Sequence, residues 1–319
     1  MIGDGLRARS DMKTQVLITG ATGFIGRALC DYLLSSNYGV SACSRNPRKA
    51  QDILGENIEI LPWDEGQLMR ALDSESEKQW VIINLAGENL SSGLWTARKK
   101  KRILESRISS GKILSQVVEQ CRHKPELLIQ ASAVGYYGSC GDDILDESAE
   151  AGKNFLADVV RQWEESTESV ERLGIRRVIM RIGLVLGEGG VLSIMKRPFQ
   201  LFFGGHLGKG NQWYSWIHLQ DVLQAIQFFI ENKSQRGVYN LVAPVAVRAK
   251  DFSLQLGRQL NRPSWFHTPS WILTIFLGQL AEETVLASQR VIPKKLTDNG
   301  FQFNFPELSP ALRDIFRGA

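Results

Sequence analysis

The amino-acid sequence predicts an α/β protein, a doubly wound parallel sheet followed by a smaller C-terminal lobe. Short apolar runs alternate with amphipathic helical patterns through the first 180 residues. Several of these runs are apolar throughout, which is typical of strands that are buried on both faces of a parallel sheet. From residue 187 onward the chain is richer in glycine and aromatic residues, and prolines recur in the tail after Arg262.

The strands are predicted from short β-branched apolar runs, and the helices from apolar residues that recur every three or four positions. The predicted strands are 16–19, 40–43, 58–61, 81–85, 127–131, 178–182 and 238–242. The predicted helices are 25–34, 103–120, 154–173, 219–231 and 250–260. In the second of these helices one buried stripe is expected, formed by Leu104, Ile108, Gly111, Leu114 and Val118.

The composition is that of an ordinary globular enzyme, with 43% hydrophobic and 23% charged residues. A net charge of +4 over 319 residues is too small to indicate a nucleic-acid partner. The four cysteines, Cys30, Cys43, Cys121 and Cys140, lack the spacing of metal ligands. We therefore expect no metal site, and a reducing compartment rather than a disulfide framework.

Neither export nor membrane insertion is predicted. Residues 1–10 are polar and lack the apolar core of a secretory signal. The most apolar late stretch, 271–280, is much shorter than the ~20 residues of a membrane-spanning helix. We expect a protein without a membrane span in the cytoplasm, or in an organelle stroma if the source is a plastid-bearing eukaryote.

A glycine-rich turn follows the first predicted strand and leads directly into the first predicted helix. It has the spacing Gly20-x-x-Gly23-x-x-Gly26. Glycines allow a sharp turn and bring bare backbone close to a pyrophosphate, while the helix N-terminus offers N–H groups to the anion. The candidate contacts are Gly20, Thr22, Gly23, Phe24, Ile25 and Gly26. This pattern predicts a dinucleotide site on a Rossmann-type sheet, and a purely structural glycine turn is the alternative.

The end of the second strand indicates which dinucleotide is bound. NAD sites usually place an acidic residue there to accept a hydrogen bond from the ribose 2′-hydroxyl. This chain has Ser44 and Arg45 instead, and both can bind a 2′-phosphate through charge-assisted hydrogen bonds. NADP(H) is therefore the predicted cofactor, with a solvated basic turn as the alternative interpretation.

With these motifs the chain resembles the extended short-chain dehydrogenase/reductase superfamily. It is most similar to the atypical subgroup called the epimerase family, or SulA-like cell-division-inhibitor proteins, which is related to the nucleoside-diphosphate-sugar epimerases. The matching segments are 19–26, 84–89, 105–108, 132–138, 181–187, 204–205, 216–221, 289–296 and 300–303.

The resemblance implies further cofactor contacts. Ser44 and Arg45 would hold the adenosine phosphate, and Leu85, Ala86 and Gly87 would line the dinucleotide after the fourth strand. Arg102, Arg107 and Val185 would also lie against it. The basic run 98–102 is interpreted as a charged helix start rather than a nucleic-acid site.

The catalytic residues are less clear from the same resemblance. Members of the superfamily normally pair a tyrosine with a lysine four residues later, so that the tyrosine can exchange a proton. Neither residue occurs at this spacing in segment 154–164, where Phe155 or Leu156 would take the tyrosine position. Ser132, at the end of the fifth strand, and Tyr136 and Tyr137 after it, are the candidate catalytic residues. A packing role for both tyrosines is the alternative.

Two functions follow from this sequence. The first is an NADP(H)-dependent reductase or epimerase-like enzyme that acts on an unknown small carbonyl or sugar-type substrate. The second is a catalytically degenerate NADPH-binding protein with a regulatory or assembly role and a protein partner. In both, residues 1–186 form the NADP-binding domain with a return segment at about 217–261, and residues 187–216 and 262–319 form the smaller C-terminal lobe that would hold the substrate.

Overall fold

Seven parallel strands form one central sheet in the computed structural model, which describes residues 14–74, 78–90 and 93–317. In chain order they are β1 (Thr14–Thr19), β2 (Gly39–Ser44), β3 (Glu59–Pro62), β4 (Gln79–Asn84), β5 (Leu127–Ala133), β7 (Arg176–Ile182) and β11 (Gly237–Leu241). The order across the sheet is β3-β2-β1-β4-β5-β7-β11, so the direction of winding reverses between β1 and β4. The predicted doubly wound sheet is confirmed. The segment on which the absence of a secretory signal was predicted, 1–10, lies outside the described residues.

Short strands pair outside this sheet: β6 (Ile144–Leu145), β8 (Leu184–Leu186), β9 (Trp213–Tyr214), β10 (Trp216–His218), β12 (Val247–Arg248) and β13 (Arg290–Val291). The helices before the last sheet strand are α1 (Phe24–Ser35), α2 (Pro47–Leu54), α3 (Glu65–Ser74), α4 (Ala97–Gln120), α5 (Phe155–Glu165), α6 (Ser169–Arg172), α7 (Gly190–Gln200) and α8 (Leu219–Glu231). Those after it are α9 (Ala249–Gln259), α10 (Ser270–Leu277), α11 (Gln279–Glu283), α12 (Lys294–Asp298) and α13 (Leu308–Phe316).

The sheet is buried on both faces, as its apolar strands predict. Val16 and Ile18 of β1 belong to a core with α1 and α8, whereas Leu17 points to the opposite core with α3 and α4. This division follows from the alternation of side chains along a strand. Two layers of helices therefore cover a sheet whose strand ends are left to form a site.

Helix α4 begins at Ala97, six residues before the predicted start at 103. The side chain of Thr96 caps it by accepting a hydrogen bond from the Lys99 amide at 3.2 Å. The basic run 98–102 is thus the first turns of this helix. The predicted buried stripe on this helix is correct from Gly111 onward. It is wrong before Gly111, since Ile103 is buried while Leu104 and Ile108 are only half-buried. The N-terminal half of the helix packs on different neighbours, including Trp95 and Leu156.

The prediction of a single helix over 154–173 is wrong, because the chain forms α5 and α6 with a break between them. At the break, side chains compete for the carbonyls that would continue the helix. The Ser166 hydroxyl donates to the Trp163 carbonyl at 2.6 Å, and Arg177 donates to the Glu164 carbonyl at 2.7 Å.

Sequence reasoning missed α2 and α3, although both carry start signals. Asn46 caps α2 by accepting from the Lys49 amide at 3.2 Å, and Pro47 follows at the first helical position. Asp64 accepts from the Gln67 amide at 2.9 Å at the start of α3. Both helices are short, so their apolar periodicity is too brief to stand out.

The C-terminal part of the chain has a core of its own, to which α7, α9 and α13 contribute Leu192, Phe199, Phe252, Leu256 and Leu312. The predicted division of the chain into two domains stays a prediction. Within the described residues, no helix combines the length and the apolar character needed to cross a membrane.

Candidate functional site

The candidate site is the crevice at the carboxyl edge of the sheet, where the winding reverses between β1 and β4. In open α/β sheets ligands bind outside the carboxyl ends of the strands at such a switch point. The turn after β1 and the segment after β4 form its two sides. They are joined by the Leu85 amide, which donates to the Thr19 carbonyl at 3.2 Å.

Two glycines of the turn have no room for a side chain. Gly20 has φ +71°, and a Cβ there would lie 2.7 Å from the carbonyl of Leu85. A Cβ on Gly26 would lie 2.3 Å from the carbonyl oxygen of Gly20. The turn is thus packed backbone against backbone. Helix α1 starts with Gly23 as its N-cap, which has no side chain to cap the first amides. The turn therefore has the cradle shape that suits a diphosphate.

A buried polar network lies beneath the crevice, and sequence reasoning missed it. The Thr19 hydroxyl donates to Asn84 Oδ1 at 2.6 Å, and Asn84 Nδ2 donates to Gln130 Oε1 at 2.9 Å. Asn84 Oδ1 also accepts from the Ala86 amide at 3.3 Å. These three polar side chains are fully buried and in register on β1, β4 and β5. The signal for this network in the sequence is a polar residue at or near the end of each of these three apolar strands.

Ser44 and Arg45 lie at the end of β2, on the same edge of the sheet as the glycine turn. Ser44 is half-buried, and its hydroxyl is bonded to the backbone of Asn46 at 3.1 and 3.2 Å. Arg45 is exposed. The site therefore offers an exposed guanidinium beside a hydroxyl that the backbone already orients.

Glu88 lies in a basic surrounding on the other side of the crevice. Its carboxylate is 2.8 Å from Lys99 Nζ and 3.6 Å from Arg102 Nη2. The hydrogen bond from Lys99 holds the pKa of Glu88 below its ordinary value, with the charges of Lys99, Arg102 and Arg45 acting in the same direction. The charges of Arg45 and Arg102 thus both lower the pKa of the Glu88 carboxylate, although the two arginines belong to different elements.

Arg107 lies beneath the segment after β4, with its side chain largely enclosed. It donates to the Glu88 carbonyl at 3.1 Å, and its guanidinium lies 5.0 Å from the Trp163 ring centre. A Cβ on Gly87 would be 3.0 Å from Cζ of Arg107. Burial lowers the pKa of Arg107 to about 10, which its neighbour Glu88 partly opposes. Arg107 supports this wall of the crevice from behind.

Ser132 and Tyr137 belong to one buried network of charged and polar groups. Ser132 donates to Glu164, which accepts two hydrogen bonds from Arg181 at 2.9 and 3.0 Å. Arg181 Nη1 also donates to the Tyr137 hydroxyl at 3.1 Å, and that hydroxyl donates to Asn240 at 2.7 Å. Burial raises the pKa of Tyr137, although Arg181 acts in the opposite direction. Both hydroxyls are therefore committed to partners inside the protein.

Tyr136 differs from its neighbour, since its ring is half-exposed. The guanidinium of Arg181 lies 3.3 Å from the centre of this ring, and the ring of Tyr137 meets it edge-on at 5.3 Å. Gln289 holds the turn from the other side by donating to the carbonyls of Val134 and Gly138 at 3.0 and 2.8 Å. Tyr136 is thus a firmly placed aromatic side chain that is only partly buried.

The start of α5 contains no tyrosine or lysine, and a carboxylate from the C-terminal part of the chain occupies it. Glu283 accepts from the Leu156 amide at 2.7 Å and from the Asn154 side chain at 2.9 Å. A negative charge stabilises a helix N-terminus. This contact fastens α11 beside the position at which the superfamily keeps its tyrosine. Sequence reasoning did not find it.

Val185 and His218 lie on the paired strands β8 and β10. Val185 is half-buried. His218 is buried and caps α8, with Nδ1 accepting from the Gln220 amide at 3.2 Å, and burial lowers the pKa of this imidazole. It is a structural histidine. Among the residues described, no cluster of three or more histidine, cysteine or acidic side chains could hold a metal ion.

The comparisons with known proteins agree with this architecture. The NAD-dependent epimerase/dehydratase family matches residues 16–241, and a domain of unknown function, DUF1731, matches residues 268–315. An epimerase family protein of Staphylococcus haemolyticus is 37% identical over 304 residues, which cover 94% of this chain and 98% of that protein.

Two solved structures resemble the chain along nearly its whole length. The human epimerase family protein SDR39U1, solved with NADPH, superposes with a TM-score of 0.82 at 28% identity, covering 96% of this chain and all of that one. A nucleoside-diphosphate sugar epimerase of Corynebacterium glutamicum gives a TM-score of 0.74 at 30% identity, covering 98% of this chain and 62% of that longer one. Because the family match covers most of the sheet and the relatives cover almost the whole chain, this protein belongs to the NAD-dependent epimerase/dehydratase family of extended short-chain dehydrogenases/reductases, whose cofactor is a nicotinamide dinucleotide.

Proposed function

We propose that the protein is an NADP(H)-dependent reductase or epimerase-like enzyme that acts on a small carbonyl or sugar-type substrate. The observation that carries the proposal is the crevice itself. On one side of it lies a glycine turn with no room for a side chain at Gly20 or Gly26, and Arg45 and Arg102 act on a common carboxylate at its rim. The similarity to a human protein solved with NADPH supports the choice of cofactor.

The residues present fit a dinucleotide. The backbone of Gly20, Thr22, Gly23, Phe24, Ile25 and Gly26 would hold the diphosphate. Ser44, Arg45 and Arg102 would hold the 2′-phosphate, since guanidinium groups bind phosphate oxygens in pairs. Leu85, Ala86, Gly87 and Val185 would line the groove, and Arg107 would support it from behind. The bound cofactor supplies or accepts a hydride.

We assign proton exchange to the Oη atom of Tyr136. Ser132 and Tyr137 were equal candidates on sequence grounds, but their hydroxyls donate to Glu164 and Asn240 within the buried network. Their role in this proposal is to position: together with Arg181 they fix the turn that presents Tyr136. The phenol of Tyr136 would replace the tyrosine that α5 lacks.

Exchanging the two tyrosines for phenylalanine separates these roles. We expect Tyr136→Phe to lower kcat by about a hundredfold or more at unchanged stability, because general acid catalysis contributes factors of that size. Tyr137→Phe should mainly reduce stability, since Asn240 Oδ1 and Arg181 Nη1 each lose the buried hydrogen bond that they make with the Tyr137 hydroxyl. The measurement is loss of NADPH absorbance with a panel of aldehydes, ketones and nucleotide sugars, together with thermal unfolding. Equal activity of wild type and Tyr136→Phe would refute the assignment.

Removing the guanidinium at the end of β2 tests the choice of cofactor. We expect Arg45→Ala to weaken NADPH binding by about ten- to a hundredfold, since it removes a charge-assisted contact worth roughly 1.5–3 kcal/mol. NADH has no 2′-phosphate, so its affinity should change less than twofold. Arg48→Ala is the matched control, because Arg48 is also exposed and lies one turn further into the basic segment. Titration calorimetry with both cofactors gives the constants, and an equal loss for NADPH and NADH would contradict this reading.

A second function has a specific observation in its favour. Helix α5 lacks the tyrosine and lysine, and two of the three candidate hydroxyls are bound inside the protein. These features suit an NADPH-binding regulatory or assembly protein with a protein partner. Tight NADPH binding without turnover of any substrate in the panel would favour it.

For either function we propose a cytoplasmic protein, because all four cysteines are free. Burial raises the pKa of Cys30 and Cys43 to about 12, which keeps these thiols unreactive.

A further inference from the structure

Six aromatic side chains of the C-terminal part stand clear of the protein surface. They are Phe202, Phe203, Trp265, Phe266, Trp271 and Phe276, and between 50% and 76% of each is exposed. Single exposed apolar residues are normal in globular proteins, but a contiguous group of this size marks an interaction site. We call these six residues the aromatic face.

Contacts between the segments join four of these residues, Phe202, Phe203, Trp265 and Phe266. The Trp265 indole donates to the Phe202 carbonyl at 2.9 Å, and the ring of Phe203 meets that of Phe266 edge-on at 6.2 Å. The Phe266 amide donates to the Gly204 carbonyl at 3.1 Å. Helix α10 follows directly and carries Trp271 and Phe276. Its first residue, Ser270, lies against the same loop, 3.0 Å from where a Cβ on Gly208 would be.

Helix α10 has no buried residue, although its sequence SWILTIFL is almost entirely apolar. A helix of a globular protein normally buries its apolar stripe against the core. Leu277, at its end, packs on Trp95 and Leu280 and anchors it. Ile272 and Leu273 are half-buried, but Trp271, Ile275 and Phe276 are exposed, so α10 is incompletely covered.

The two segments that supply the aromatic face carry basic residues and no acidic ones. Residues 189–220 and 252–281, which supply all six aromatics, contain no aspartate or glutamate. They contain Lys196, Arg197, Lys209, Arg258 and Arg262. The guanidinium of Arg262 lies 4.6 Å from the ring centre of Phe202, so the positive charge is beside the aromatic face itself. The complementary surface must be anionic as well as apolar.

We propose that the aromatic face binds the surface of an anionic lipid bilayer. Tryptophan and phenylalanine beside basic residues are the composition of segments that lie in the membrane interface. Side chains exposed to this degree protrude, whereas a groove for a peptide helix would enclose them. A second copy of the chain would place like charges opposite each other across a two-fold axis, which opposes association. The contact is peripheral and uses none of the residues that we propose to hold the cofactor.

Co-sedimentation of the full chain with vesicles tests this proposal. The vesicles are phosphatidylcholine alone, or phosphatidylcholine and phosphatidylglycerol in equal parts. We expect sedimentation with the anionic vesicles only, decreasing as salt is raised. Trp271→Ser combined with Phe276→Ser should lower the bound fraction at least about tenfold, because each removes an apolar side chain from the lipid contact. Both residues are exposed, so NADPH binding should be unchanged and verifies the fold.

The matched control is Leu173→Ser, which changes an exposed apolar residue just before the amino end of β7, on the opposite edge of the sheet from the candidate site. It should sediment like the wild type. Absence of sedimentation, equal sedimentation with both vesicle types, or equal loss in the control would each overturn the proposal. A dimer in light scattering that the double variant dissociates, without any vesicle binding, would overturn it in favour of a second copy. Capture of a soluble acidic helix without vesicle binding would likewise overturn it.

Discussion

Gly26→Ala is expected to abolish measurable NADPH binding, with a loss of affinity of at least about thirtyfold, and to destabilise the fold by about 1–3 kcal/mol. The added Cβ would lie 2.3 Å from the carbonyl oxygen of Gly20 and 2.7 Å from Cα of Ala21. Both are backbone atoms, so no side-chain rotation can relieve the contact. The first turn of α1 must move away from the turn after β1, and the amides that would surround the diphosphate move with it.

Titration calorimetry measures the affinity, and circular dichroism with thermal unfolding shows that the variant is folded. The matched control is Gly66→Ala near the start of α3, where the nearest atom to a Cβ is the Asp64 carboxylate at an ordinary 3.4 Å. Alanine is favoured over glycine within a helix, so this variant should be as stable as the wild type or more so. A Gly26→Ala protein that binds NADPH within twofold of the wild type would show that the turn does not hold the diphosphate.

The second large effect concerns the charged pair under Tyr136. Arg181→Met is expected to reduce the free energy of unfolding by about 3–5 kcal/mol, because it leaves the Glu164 carboxylate buried without a countercharge. Both side chains are almost completely buried and joined by two hydrogen bonds at 2.9 and 3.0 Å. Although burial opposes the charged form, the hydrogen bonds and charge of Glu164 raise the pKa of Arg181, so the guanidinium stays charged at all working pH values.

A double-mutant cycle identifies the cause. Glu164→Leu combined with Arg181→Met removes both charges, so urea unfolding should recover at least about 2 kcal/mol relative to Arg181→Met alone. Arg161→Met is the matched control, because Arg161 also pairs with two carboxylates but is 47% exposed in its side chain. An exposed pair contributes only about 0–1 kcal/mol. If Arg161→Met and Arg181→Met were equally destabilising, burial would not be the source of the effect.

The strands and the glycine turn could be predicted because their signals are local. Strand Val16 to Thr19 shows its burial in its own composition, and Gly20 and Gly26 are required by contacts within the turn or with the neighbouring strand end. The end of β2 is equally local, since the absence of an acidic residue beside Arg45 is visible in the sequence alone. The choice of family and of a nicotinamide cofactor depends on these short segments.

The predictions that failed concern segments whose neighbours are distant in the chain. The break between α5 and α6 depends on Arg177, which belongs to the following strand and takes a helix carbonyl. The buried stripe on α4 differs from the prediction in the first half of the helix, which packs against Trp95 and Leu156. Periodicity describes an isolated helix, and it cannot show which part of a helix packs on which neighbour.

The amino-acid sequence by itself determined the sheet, the turn at the first strand and the basic end of the second. In each case the conformation depends on residues that are close together in the chain. Only the tertiary structure decided which tyrosine is available and what occupies the start of α5. Tyr137 binds Asn240 across 103 residues, and the Leu156 amide binds Glu283 across 127. Hydrogen-bond partners so far apart are selected by the packing of the whole chain, and no local pattern records them.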